Sequence, residues 1–119
     1  INKYCKYIQS ITRFYIMKYK LKFNAARPFQ LGNLYNIDIY PVELLTSQTP
    51  SYPSGHAGVY YALFKFFTKI DPTNNYEDIF KNGLNSRVVS GIHFEQDNEA
   101  AIKIMNEIFK NDPNLKKFI

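Results

Sequence analysis

The chain has 119 residues, enough for one domain (1–119) and one modest core, and 45% hydrophobic with 21% charged residues excludes a disordered polymer. Aromatics make up 17%, all Tyr and Phe, so ring packing should fill much of the core. The net charge of +5 favours anionic partners, although a soluble surface with excess lysine explains it equally well, and the single Cys5 excludes an internal disulfide and a Cys-rich metal site.

From Asn2 to Lys22, Tyr4, Ile8, Ile11 and Tyr15 recur at three- and four-residue steps, which predicts an amphipathic helix. Lys3, Lys6, Arg13, Lys18 and Lys20 give it a basic face, read as solvated, with a membrane-surface role as the alternative. Pro28 marks a boundary. Phe29 to Tyr52 then reads as a long irregular connection holding Gly32, Asn33, Pro41 and Pro50, with Ile37, Ile39 and Pro41 hinting at a short extended piece. His56 to Ile70 is a strong helix: Tyr60, Leu63, Phe64 and Phe67 form one stripe, and Val59, Phe66 and Ile70 widen it nearly around the cylinder. Such a helix belongs at the centre of a bundle. Asp71 to Asn75 is a turn.

Tyr76 to Ser90 predicts a third helix, with Phe80, Leu84 and Val88 on one face, weakened at Gly83 and ended by Gly91. Asp97 to Asn111 predicts a fourth, with Ala101, Ile104, Met105 and Ile108 inward, stopped by Asp112-Pro113 before a fraying lysine-rich tail. No repeat, low-complexity tract or second domain interrupts this order. No apolar run is long enough to span a bilayer, since Lys65 and Lys69 break the best one. Composition therefore points to a soluble protein, with the cytoplasm favoured. The first residue is Ile rather than Met, so a processed, secreted or periplasmic product with its signal peptide removed stays open.

Three stretches could carry chemistry. In Ser86–Asp97, Arg87 offers a planar fork of donors to two oxygens of a phosphate. His93 can act as nucleophile or base, and Asp97 lies four residues on, close enough to take the other ring nitrogen's proton. The plain alternative is a helix with one polar edge, then Gly91 and a second helix. In Pro53-Ser54-Gly55-His56, a helix N-terminus presents free N–H groups to an anion, Gly55 allows close approach, the Ser54 hydroxyl can donate, and His56 could hand a proton to a leaving oxygen. An ordinary Ser cap after a Pro turn explains the same letters. Lys20 and Arg27-Pro28 could neutralise a phosphate dianion, or be a basic helix end before a proline.

Together these read Lys20-x6-Arg27-Pro28, Pro53-Ser54-Gly55-His56 and Ser86-Arg87-x5-His93-x3-Asp97. The combination resembles the three-part signature of the type 2 phosphatidic acid phosphatase superfamily, which includes bacterial class A non-specific acid phosphatases and vanadium haloperoxidases. The likeness runs from Lys20 to about Ala101, and both histidines fall on motif positions. It implies an all-α, compact helical bundle of about four to six helices, truncated relative to relatives that carry more helices before the first block. It also implies that Lys20, Arg27, Ser54, Gly55 and Arg87 hold phosphate, that a neutral His93 attacks phosphorus, that Asp97 orients His93, and that a protonated His56 serves the leaving group.

The expected function is thus a metal-independent phosphatase for phosphomonoesters or pyrophosphates, working through a phosphohistidine. The expected partner is a small phosphorylated substrate, with no nucleic acid, no transmembrane segment and no cofactor; vanadate would inhibit. A homodimer covering apolar surface left by the short core is a further expectation. The alternatives are a vanadium haloperoxidase, with vanadate as cofactor bonded to His93, and a non-catalytic module binding anionic lipid or nucleic acid through the basic first helix and Lys116-Lys117. A metal site of His93, Glu95 and Asp97 has too few ligands.

Overall fold

The computed structural model describes residues 2–40 and 50–118. It is all-helical over that range: α1 (Asn2–Phe23), α2 (Pro28–Leu34), α3 (Gly55–Ile70), α4 (Glu77–Val89), α5 (Glu95–Asn111) and α6 (Pro113–Lys116). The central helix is α3, as its all-round apolar sequence predicts. It packs against α1 on one side and against α4 and α5 on the others.

Small residues set the α1–α3 spacing. A Cβ on Gly58 would come within 3.1 Å of the Ile16 side chain and 3.4 Å of the Thr12 methyl, so this crossing has little room for more. The buried line of α1 is Ile8, Thr12, Ile16 and Lys20, one residue every four. This differs from the predicted stripe: Tyr4 is half exposed, and Ile11 and Tyr15 lie at the margin. Lys20 therefore leaves the solvated basic face assigned to it and points into the protein.

The core joins Ile8 and Ile16 to Ala57, Tyr61, Ala62 and Phe66 of α3, and these to Ala101, Met105, Ile108 and Phe109 of α5. α4 sits at the edge, with no residue of its own fully buried. Among its contacts is a stacked ring pair, Phe80 on Phe64, with centroids 5.0 Å apart. Gly83 has a steric reason: a Cβ there would lie 2.9 Å from the Tyr60 ring. Gly91 ends this run at φ 74, a conformation that glycine takes without strain.

Two segments depart from expectation. Within the predicted irregular connection, 28–34 folds as α2. Pro28 occupies the first turn, where its missing N–H costs nothing, and the Arg27 N–H donates to Gln30 Oε1 at 2.7 Å. Ile37 and Ile39 form no strand, and Pro41 lies outside the described residues. The tail does not fray after Asp112. That residue caps α6, Leu115 is fully buried, and the Phe118 ring packs on Tyr4, Tyr7 and Phe66.

Candidate active site

The three sequence blocks converge on one cavity of about 280 Å³ between α1, α3 and the end of α4. Lys20, Gly55, His56, Arg87 and His93 line it. Each is positioned by a helix end. Lys20 comes from the last turn of α1, Gly55 and His56 open α3, and Arg87 stands in the last turn of α4. His93 follows in the bend before α5, its N–H donating to the Arg87 carbonyl at 3.2 Å.

Arg27, Ser54 and Asp97 stand behind this wall. Arg27 is 2% exposed, and its Nη1 donates to the Ile92 carbonyl at 2.8 Å and meets His93 Nε2 at 3.3 Å. Ser54 caps α3 by accepting the Ala57 N–H at 3.2 Å, so the cap and the phosphate-loop readings describe the same turn. Ser86 stays away from the site, its hydroxyl donating to the Gly83 carbonyl of its own helix at 2.7 Å. A Cβ on Gly55 would touch Lys20 and Ile16 at ordinary distances, so the protein's own packing does not demand glycine there.

Asp97 fixes the tautomer of His93. Its Oδ2 lies 3.2 Å from His93 Nδ1, and both side chains are buried. A proton on Nδ1 serves that bond and leaves Nε2 unprotonated, as its contact with the donor Arg27 Nη1 requires. The same oxygen accepts from the Phe94 N–H at 2.9 Å and from Ser51 Oγ at 2.5 Å. Burial pushes Asp97 up, but the hydrogen bonds from His93, Ser51 and Phe94 outweigh it and hold the carboxyl below its usual range. Asp97 thus caps α5 and orients His93 with one atom.

Ser51 is the residue that sequence reasoning missed. It is fully buried, and its hydroxyl also lies 3.5 Å from His93 Nδ1. A serine two residues before Pro53 carries no signal of its own; only the turn that brings 51–54 against α5 gives it a role. That turn is pinned by the Ser54 N–H donating to the Asp97 carbonyl at 3.0 Å and by the Ser51 N–H donating to the Ala25 carbonyl at 2.9 Å.

The electrostatics are those of positive groups buried side by side. Burial, then Arg27 and Arg87, lower Lys20 to about 8 against the pull of Asp97. His93 is lowered by burial and by Arg27 and Lys20, which outweigh Asp97, a direction that favours the neutral ring. His56 is lowered to about 4 by burial, Arg87, His93, Arg13 and Lys20. This corrects the expectation of a protonated His56: in the protein by itself the ring is neutral at pH 7. A bound dianion would remove the part of that depression due to neighbouring cations. Arg87 Nε is buried with no hydrogen-bond partner among the described residues.

Among the described residues no group of three His, Cys, Asp or Glu side chains gathers in metal-binding range, and no helix is long and apolar enough to cross a membrane. No known family's sequence model matches the chain. Over 85 residues, 69% of its length, the chain is 33% identical to a non-specific acid phosphatase of Providencia stuartii. It spans 34% of that protein's length.

Two outcomes follow from this geometry. The unfolded chain binds protons on His56 near the ordinary value of 6.5, whereas the folded one does so near 4. Stability is therefore intact above that upper value and falls as pH drops through this window. Thermal melts should show the fall, and inorganic phosphate should reduce it; a melting temperature constant across the window contradicts the assignment. Ser51→Ala removes a hydrogen bond to a buried carboxylate and should cost about 1.5–3 kcal/mol in urea unfolding at neutral pH. A loss within experimental scatter would show that Asp97 does not depend on it.

Proposed function

We propose that the chain is a metal-independent phosphatase that hydrolyses small phosphomonoesters or pyrophosphates through a phosphohistidine on His93. The observation that carries this reading is the cavity itself. Two imidazoles and the cations Lys20 and Arg87 line it together, and Arg87 holds a buried Nε–H with no acceptor among the described residues. The similarity to a non-specific acid phosphatase supports phosphatase chemistry in general and leaves the steps to the residues.

Phosphoryl transfer asks chiefly for positioning and for positive charge around the equatorial oxygens. Lys20 and Arg87 would supply that charge from the wall, with the Gly55 N–H at the positive end of α3. Arg27 would reach the same oxygens from behind, because its Nη1 already lies beside His93 Nε2. The Nε2 lone pair forms the bond to phosphorus as the bond to the leaving oxygen breaks. The His93 ring then carries positive charge, which Asp97 steadies through Nδ1. His56 gives its proton to the leaving oxygen, then takes one from the water that attacks phosphorus and breaks the P–N bond.

Because His56 titrates near 4, the proton for the leaving group must arrive with the substrate. A phosphate monoanion meeting a neutral His56 carries the same number of protons as a dianion meeting a protonated one. Either form grows scarce as pH rises.

Phosphate release from p-nitrophenyl phosphate tests the reading. The wild-type chain should turn over in the presence of EDTA and be inhibited by vanadate, which mimics five-coordinate phosphorus. His93→Ala should lower the rate by at least about a thousandfold while vanadate still binds. Unchanged turnover in that variant excludes His93 as nucleophile. The kcat/KM should also be several-fold higher at about pH 5 than at about pH 8, and a profile that rises towards alkaline pH contradicts the role of His56.

A further inference from the structure

The cavity is larger than a phosphate nest requires, and its extension has a charge of its own. Two turns of helix before Lys20, Arg13 of α1 lines the same cavity. Residues seven apart on a helix share a side and lie about 10 Å apart along the axis. Arg13 is exposed to solvent and makes no hydrogen bond or ion pair among the described residues. None of the three sequence blocks includes it.

The position of Arg13 relative to the reaction is readable from His56. The positive charge of Arg13 is among those that depress His56, so the guanidinium lies on the His56 side of the cavity. In the mechanism above, His93 and His56 stand at opposite ends of the in-line path, and His56 serves the leaving oxygen. Whatever is attached to that oxygen therefore extends towards Arg13. In the same cavity, Tyr60 and Leu63 of α3 offer apolar surface, and among the described residues no carboxylate lines it to repel an anion.

We propose that Arg13 is a specificity-determining residue that selects leaving groups bearing anionic oxygens of their own, so that the preferred substrates are phosphoanhydrides with a terminal diphosphate. The inference rests on the phosphatase reading for the direction of the leaving group. A guanidinium fork matches two oxygens of the second phosphate. In the reaction, His93 Nε2 bonds to the terminal phosphorus while the bridging P–O bond breaks. The electron pair stays on the bridging oxygen, which departs as part of the second phosphate. Water then releases the first phosphate from His93. A phosphate is a far better leaving group than an alkoxide, so it needs less help from His56, which suits a ring that is neutral at pH 7.

Two non-hydrolysable probes test this, methylenediphosphonate with two anionic groups and methylphosphonate with one. Calorimetric titration of the wild-type chain should show the diphosphonate binding at least about tenfold more tightly. In Arg13→Gln the ratio of the two dissociation constants should collapse towards unity, and Arg13→Lys should restore part of it. An unchanged ratio in Arg13→Gln overturns the inference, as does a wild-type chain that does not prefer the diphosphonate. Hydrolysis of p-nitrophenyl phosphate by the wild type separates the two failures. Turnover without diphosphonate preference removes only the role of Arg13, and absent turnover removes the phosphatase reading as well.

Discussion

One carboxylate oxygen organises this molecule. Asp97 Oδ2 accepts from Ser51, from His93 and from the backbone of Phe94, while the carbonyl of the same residue takes the Ser54 N–H. Those bonds tie the chain before α3 to the chain before α5, segments more than forty positions apart. A buried carboxylate without donors would be costly, so the donors must be in place whenever the fold is. The same bonds set which nitrogen of His93 carries its proton. Fold and chemistry therefore cannot be separated at this residue.

Around that anchor, burial works against charge. Lys20 acts on both imidazoles, Arg27 on His93 and Arg87 on His56, and the outcome is depressed proton affinities at Lys20, Arg27, His56 and His93 rather than a set of strong pairs. Such an arrangement lowers stability, and sites of this kind persist where function requires them. An anion entering among these groups would gain from each of them at once. The tight α1–α3 crossing at Gly58 keeps Lys20 close to the start of α3, so these two parts of the cluster stay together.

The helices that were legible in the sequence are the long periodic ones. α1, α3, α4 and α5 announce themselves by three- and four-residue spacing, and their observed ends lie within two residues of the predicted ones. α2 was hidden because seven residues are too few to display a period and because Pro28 marks a helix start as readily as a break. The site residues were legible as a resemblance among separated short blocks. Their grouping around one cavity was not, since no local pattern says that Lys20 turns inward or that Ser51 meets Asp97. The charge state of His56 was hidden for a similar reason: it depends on Arg13, Lys20, Arg87 and His93 being neighbours, a property of the folded chain alone.

The peripheral seat of α4 has a consequence for the cavity. This helix carries Arg87, yet it is held by ring stacking and by surface that stays partly wet, and Ile79 beside that surface is 71% exposed. Elements held in this way detach at less cost than the centre of a protein. Detachment of α4 would carry one arginine away from Lys20 and His93, relieving mutual repulsion as it did so. Grip on a bound anion and integrity of the α1–α3–α5 centre would then be governed by different free energies.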